Sequence, residues 1–140
     1  MGLDQAVTGL LVAGIGFRRG TDADEIAALI ERALAALGAD RSSLTAVATA
    51  ADRAAEPAIR AATARFGLSP QPVAAAALQA RDAEIVTRSA RIEQLRGVGS
   101  LAEATALAGA GPQSRLALPR ITSAGATCAL AVRCDTTRDT

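Results

Sequence analysis

At 140 residues, half of them hydrophobic, the chain has the size of one domain able to bury a core, and wholesale disorder is excluded. A net charge of +1 with no concentrated basic face, and only Phe17 and Phe66 as aromatics, argue against nucleic acid as a partner. All 15 basic residues are Arg, and His, Lys, Asn, Tyr and Trp are absent. That bias fits a GC-rich genome, so Arg position carries information and Arg abundance does not.

The first element is a buried strand over residues 8–14, with 10–13 central in the sheet. A loop follows at 15–20. Asp22 is then an N-cap and Glu25 takes the capping-box position three residues on. Ile26, Leu29, Ile30, Ala33, Leu34 and Leu37 recur at helical spacing, and Gly38 stops the helix. Leu11 and Ile30 are expected to be buried together. Residues 44–50 form a second strand, 51–56 a polar connection, and Pro57 opens a helix that carries Ile59, Ala62 and Phe66 on one face. Residues 71–75 read as a short strand near a sheet edge, because Pro72 lacks a donor. The Ala-rich stretch from 76 is helical, and 81–96 is an exposed helix or a mobile loop.

Gly97-Val98-Gly99 breaks the chain, and Ser100 with Glu103 caps a new helix that ends at Gly109 to Pro112. Residues 116–118 and 126–133 are two strands around a polar loop at 119–125, close enough to pair as an antiparallel hairpin. The predicted fold is α/β: a three-layer α/β/α sandwich on a mostly parallel mixed sheet of about five strands with a C-terminal hairpin. One domain covers 1–134, with a frayed tail at 135–140. No apolar run approaches the ~18 residues of a membrane span. No secretory signal precedes the first strand, so a cytoplasmic location is expected, with Cys128 and Cys134 as free thiols.

Four segments could carry chemistry. Gly14, Gly16, Arg18, Arg19, Gly20 and Thr21 follow a strand and open a helix, where free N–H groups and the helix dipole gather anions. The other reading is a tight turn with two solvated arginines. Asp52 and Glu56 could form an acid–base pair, or merely enter a helix whose dipole favours carboxylates. Gly97, Gly99 and Ser100 could hold a second anion, or serve only as break and cap. Arg120 lies in the last polar loop. Two thiols without His make no zinc site, and no metal or cofactor is expected. Without His there is also no conventional nucleophile–His arrangement.

Taken in order, these segments resemble the CobE/CbiG C-terminal domain family of cobalamin (vitamin B12) biosynthesis, and are nearest to its stand-alone branch. Gly14-Ile-Gly-Phe-Arg-Arg-Gly-Thr21 looks like the family's Gly-Ile-Gly-x-Arg-Arg-Gly-Thr/Ala opening. Asp52 and Glu56 fall where the family tends to have Asp-x-Lys-x-x-Glu. Gly97-Val-Gly-Ser-Leu-Ala-Glu-Ala104 resembles Gly-Val-Gly-Ser-Val-Ala-Glu-Ala, and residues 122–131 resemble the closing Gly-x-Thr-x-Ala strand. Arg53 stands one position from the family's usual lysine, and Arg120 replaces another. The resemblance implies a part in corrin-ring construction: binding or carrying a precorrin or hydrogenobyrinic acid intermediate. Its alternatives are a hydrolase on a precorrin lactone or acyl fragment, releasing acetaldehyde with Asp52 or Glu56 as general base, and a subunit docking on another corrin-pathway enzyme.

Overall fold

The computed structural model describes residues 10–96 and 98–133. The expected tail, Gly97 and Cys134 lie outside the described residues.

Strand β1 (Leu10–Phe17) is eight residues long and buried almost throughout. It pairs along its whole length with antiparallel β5 (Ala126–Arg133), from Leu10 opposite Arg133 to Phe17 opposite Ala126. On its other side it pairs in parallel with β2 (Ala46–Ala50), which pairs in parallel with β3 (Pro70–Val73). β4 (Arg115–Thr122) closes the far edge as an antiparallel partner of β5, giving the order β3-β2-β1-β5-β4. The four pairings divide evenly between parallel and antiparallel.

Alternation along β1 explains the three layers. Leu11, Ala13, Ile15 and Phe17 face one apolar cluster with Ile26, Leu29, Ile30 and Leu34 of helix α1 (Ala23–Leu37) and Ile59 and Ala62 of α2 (Pro57–Ala64). Leu11 and Ile30 therefore share a core. Val12 faces the opposite cluster with Leu78 of α3 (Ala75–Ala80) and Leu101, Ala102 and Leu107 of α5 (Leu101–Ala110). The short α4 (Ala90–Arg96) precedes α5, so 81–96 holds a one-turn helix at Asp82–Glu84, a loop and α4.

Several expectations about boundaries are corrected. The strand does not stop at Gly14: Ile15, Gly16 and Phe17 belong to β1, because β5 supplies partners for them. Leu44 is buried but precedes β2, which starts at Ala46; Thr45 is tied to Leu11 by Thr45 N–H to Leu11 O (2.8 Å) and Leu11 N–H to Thr45 Oγ1 (3.2 Å). β3 starts at Pro70, and Ala75 already belongs to α3. Helix α5 runs through Gly109 to Ala110. Pro119 to Thr122 are strand rather than loop: β4, with a register irregularity on either side of Leu118, passes through them and turns only at Ser123 to Gly125.

Candidate ligand-binding edge of the sheet

The strand ends place the predicted segments on one edge. β1 and β2 run parallel, and β4 ends beside the start of β5, opposite the last residues of β1. Phe17 to Thr21, Ala51 to Glu56, the start of α5 and the end of β4 therefore meet where ligands of open α/β sheets bind.

The glycines of the first segment do different work from that expected. Gly14 and Gly16 lie inside β1, not in an anion-cradling turn. A Cβ at Gly14 would strike Ala102 O and Ala106 N of α5 and stand 2.5 Å from Thr105 Oγ1. One at Gly16 would come within 2.8 Å of Thr127 Oγ1. Gly14 is small so that α5 can seat on the sheet, and Gly16 so that the Thr127 side chain of β5 can lie beside it. The turn itself is residues 18–21. Its Arg18 N–H donates to Gly125 O (2.9 Å), its Thr21 N–H to Arg18 O (3.1 Å), and Thr21 Oγ1 to Gly125 O (3.0 Å). Gly20 has φ of 88°, which favours glycine there. Arg18 and Arg19 are exposed, and among the described residues neither side chain has a hydrogen-bond or ion-pair partner.

Both expected capping boxes form only in half. Asp22 Oδ1 accepts from Glu25 N–H (2.9 Å), but the Glu25 carboxylate reaches instead to Ser123 Oγ (2.5 Å) and Gly125 N–H (2.5 Å) in the β4–β5 turn. These two donors, Ser123 first, hold the Glu25 carboxyl below its usual range. Likewise Ser100 Oγ accepts from Glu103 N–H (3.3 Å), while the fully buried Glu103 carboxylate accepts from Val86 N–H (2.8 Å), Thr87 N–H (3.0 Å) and Arg120 N–H (2.9 Å). Each glutamate thus fastens a distant segment to its own helix start.

The start of α5 is not an open anion cradle. Gly99 N–H donates to Asp82 Oδ1 (2.8 Å), and a Cβ on Gly99 would lie 2.9 Å from Arg88 Cζ. Arg88 in turn holds both Asp82 oxygens (3.0 and 2.9 Å) and Glu93 (2.9 Å). The protein's own carboxylate takes the place a ligand would need. Asp82 is accordingly held below its usual range, by the Gly99 N–H first and then by Arg88.

Asp52 and Glu56 part company. Glu56 is ion-paired with Arg53 (3.0 Å), whose guanidinium sits 5.3 Å over the Phe17 ring and ties the β2 loop to the end of β1. Asp52 lines a cavity of about 260 Å³ with Ala50, Val73 and Leu78. A larger open groove of about 890 Å³ lies beside it between α2 and edge strand β3, with Arg60 on its wall. Among the described residues no cluster of three or more His, Cys, Asp or Glu is placed to hold a metal ion, and no helix is long and apolar enough to cross a membrane.

The model of the family described as "Cobalamin synthesis G C-terminus" matches residues 11–131. The chain belongs to this family. Membership makes it a protein of cobalamin biosynthesis. It is 41% identical over 121 residues to Protein CobE of Sinorhizobium sp, covering 86% of this chain and 79% of that one. Its fold matches the crystal structure of CobE, a protein from the cobalamin biosynthetic pathway, with TM-score 0.83 at 31% identity over 92% and 94% of the two chains. It also matches cobalamin biosynthesis protein chiG from Agrobacterium tumefaciens, with TM-score 0.68 at 35% identity over 87% and 97% of the chains.

Within this family fold, sequence reasoning found the Arg18–Arg19 turn but missed what surrounds it. The reach of Glu25 and Glu103 and the exposure of Val86 went unseen. One signal for Glu103 was available: it is the single charged residue in the helix Leu-Ala-Glu-Ala-Thr-Ala-Leu-Ala-Gly-Ala. A carboxylate there has to find donors from elsewhere in the chain.

Proposed function

We propose that this cobalamin-biosynthesis protein binds a carboxylated corrin intermediate, a precorrin or hydrogenobyrinic acid, at the edge of the sheet where β1 ends, and that it does so without catalysing a reaction. The observation that carries this reading is the pair Arg18 and Arg19: two exposed guanidinium groups on a turn after the central strand, with no partner among the described residues. Corrin precursors bear many acetate and propionate groups, and a guanidinium can meet a carboxylate with two parallel N–H bonds. The Ala-lined surfaces around the loop after β2 suit an apolar ring.

The test is a titration with hydrogenobyrinic acid followed by its visible absorption band, on the parent, Arg18→Ala and Arg19→Ala. A charged hydrogen bond contributes about 1.5–3 kcal/mol. At least one substitution should therefore weaken binding about ten- to a hundredfold, with circular dichroism unchanged in both. If both variants bind as the parent does, the arginines are not the site.

The hydrolase reading would use Asp52, which lines the smaller cavity, or Glu56, which is ion-paired with Arg53. Acetaldehyde released from a precorrin lactone, and abolished by Asp52→Asn, would favour it. Docking on another pathway enzyme is the outcome if the protein binds no corrin but co-purifies with such an enzyme.

A further inference from the structure

Glu103 is a buried charged side chain in a helix otherwise made of Ala, Leu, Thr and Gly, and the turn chemistry at Arg18 and Arg19 does not involve it. Burying a carboxylate is unfavourable unless its lone pairs are satisfied. Here one oxygen takes the amides of Val86 and Thr87, and the other takes the amide of Arg120. One carboxylate thus brings a loop and a strand, 33 residues apart at Thr87 and Arg120, to within its own span. The loop it fixes carries Val86, a β-branched hydrophobic side chain left 65% exposed. The strand position it fixes carries Arg120, whose half-buried side chain has no partner among the described residues.

Neither feature is explained by the core. Val86 contributes to neither apolar cluster, and the register irregularity between Leu118 and Ile121 takes Arg120 out of the β5 ladder. What Glu103 builds is a small amphipathic ledge: an apolar side chain and a cation on a backbone held by buried hydrogen bonds. It lies at the same sheet edge as the Arg18 turn, because α5 starts against Gly16 through Leu101.

We propose that Val86 and Arg120 form a contact surface for the ring face and a peripheral carboxylate of the macrocycle, and that Glu103 is the positioning residue that holds the two together. The inference rests on the corrin-binding reading and extends it to residues outside the arginine turn. An apolar ring face covers Val86, and Arg120 meets a carboxylate that the Arg18 turn does not reach.

Three variants test it: Glu103→Gln, Val86→Ser and Arg120→Ala. Each is titrated with hydrogenobyrinic acid, and hydrogen exchange is followed at residues 85–88. Glu103→Gln keeps the shape but puts an NH2 where one amide donor expects an acceptor. It should speed exchange of the Val86 and Thr87 amides and weaken binding about tenfold. Val86→Ser and Arg120→Ala should weaken binding about tenfold with exchange unchanged, which separates ligand contact from a structural role. Val86 is exposed, so its variant decides the matter if Glu103→Gln does not fold. If the parent binds while Val86→Ser and Arg120→Ala bind equally well, this inference is overturned and the Arg18 turn stands. If the parent itself does not bind, the corrin-binding reading fails and takes this one with it.

Discussion

The carboxylate of Glu25, in the first turn of α1, accepts the amide proton of Gly125 at 2.5 Å across one hundred residues of sequence. The same oxygen accepts from Ser123 Oγ. A helix start is thereby fastened to the turn between β4 and β5, directly beside the Arg18–Arg19 turn, whose Arg18 amide donates to Gly125 O.

This contact sets an acid dependence. The Glu25 carboxyl is held below its usual range by the Ser123 hydroxyl first and the Gly125 amide second. A carboxyl whose pKa is lower folded than unfolded stabilises fully above its unfolded value, and the contribution is lost as pH falls through the folded value. Unfolding midpoints in urea, measured from neutral to acid pH, should fall through the glutamate range and below it. In Glu25→Gln that fall should be shallower, with a lower midpoint at neutral pH. Asp82 and Glu84 are lowered in the same direction and keep their share in the variant. An unchanged acid slope would mean that Glu25 is not held in solution as described.

The glycines make a paired prediction. Gly14→Ala pushes a methyl group into the backbone of α5 at Ala102 and Ala106. Neither is the end of a flexible side chain, so the helix must shift, at a cost of about 1–3 kcal/mol or more. Gly20→Ala meets nothing within 4 Å, and its penalty is only that of a positive φ, about 1–2 kcal/mol. Urea unfolding should rank Gly14→Ala as the less stable of the two. Equal stability would argue that α5 is not seated on β1 at this point.

How much of this was readable beforehand depends on how local each interaction is. Leu11 and Ile30 could be assigned to one core because the period of two in β1 and of 3.6 in α1 are carried by adjacent residues. The N-cap halves of both capping boxes were legible for the same reason. The partners of Glu25 and Glu103 were not, because Gly125, Val86 and Arg120 reach them only through the finished fold. Gly14-x-Gly16 looks like a turn to any local rule. What makes it strand is β5, and what makes it glycine is the α5 backbone at Ala102 and Ala106 for Gly14 and Thr127 for Gly16, all about a hundred residues downstream. The candidate site shows the same division. Strand ends predicted the shared edge, but not that Asp82 would take the Gly99 amide from a ligand.

Cys128 offers a test of core integrity. Its side chain is buried in β5 opposite Ile15, and burial pushes the thiol pKa up to about 12. The thiolate is the reactive form, so the native thiol should be inert at neutral pH. With Cys134→Ser as background, a disulfide reagent should modify Cys128 only at the rate at which the protein opens. Its modification rate should rise with urea in step with loss of circular dichroism. Rapid labelling of the folded protein would contradict the described packing of β5.

Arg81 closes the other end of α5 and permits the most quantitative prediction. Its side chain is only 12% exposed, and its guanidinium donates to Leu107 O (2.9 Å), Gly111 O (2.8 Å) and Ser114 O (3.0 Å). Leu107 O also accepts the Gly111 N–H (3.0 Å) and Gly111 O the Ser114 N–H (3.2 Å), so Arg81 adds a second donor to carbonyls at and just past the helix end. Ser114 Oγ lies 3.0 Å from Leu107 O and 2.7 Å from Gly111 O and shares its one proton between them, so with the two backbone amides Arg81→Ala orphans neither carbonyl. The loss should correspond to about one charged hydrogen bond in net terms, ~1.5–3 kcal/mol, rather than three. The ion pair with Glu84 adds little, since that carboxylate is nearly half exposed. Arg81→Lys should recover only part of the loss, because an ammonium lacks the planar fork that spans three carbonyls. The Glu84 carboxyl is held below its usual range chiefly by its hydrogen bond from Arg81. In Arg81→Ala it should return toward that range and remove its share of the acid sensitivity. Urea midpoints at neutral and acid pH measure both effects. Parent-like stability in Arg81→Ala would mean that the Gly111 amide and Ser114 suffice to close α5.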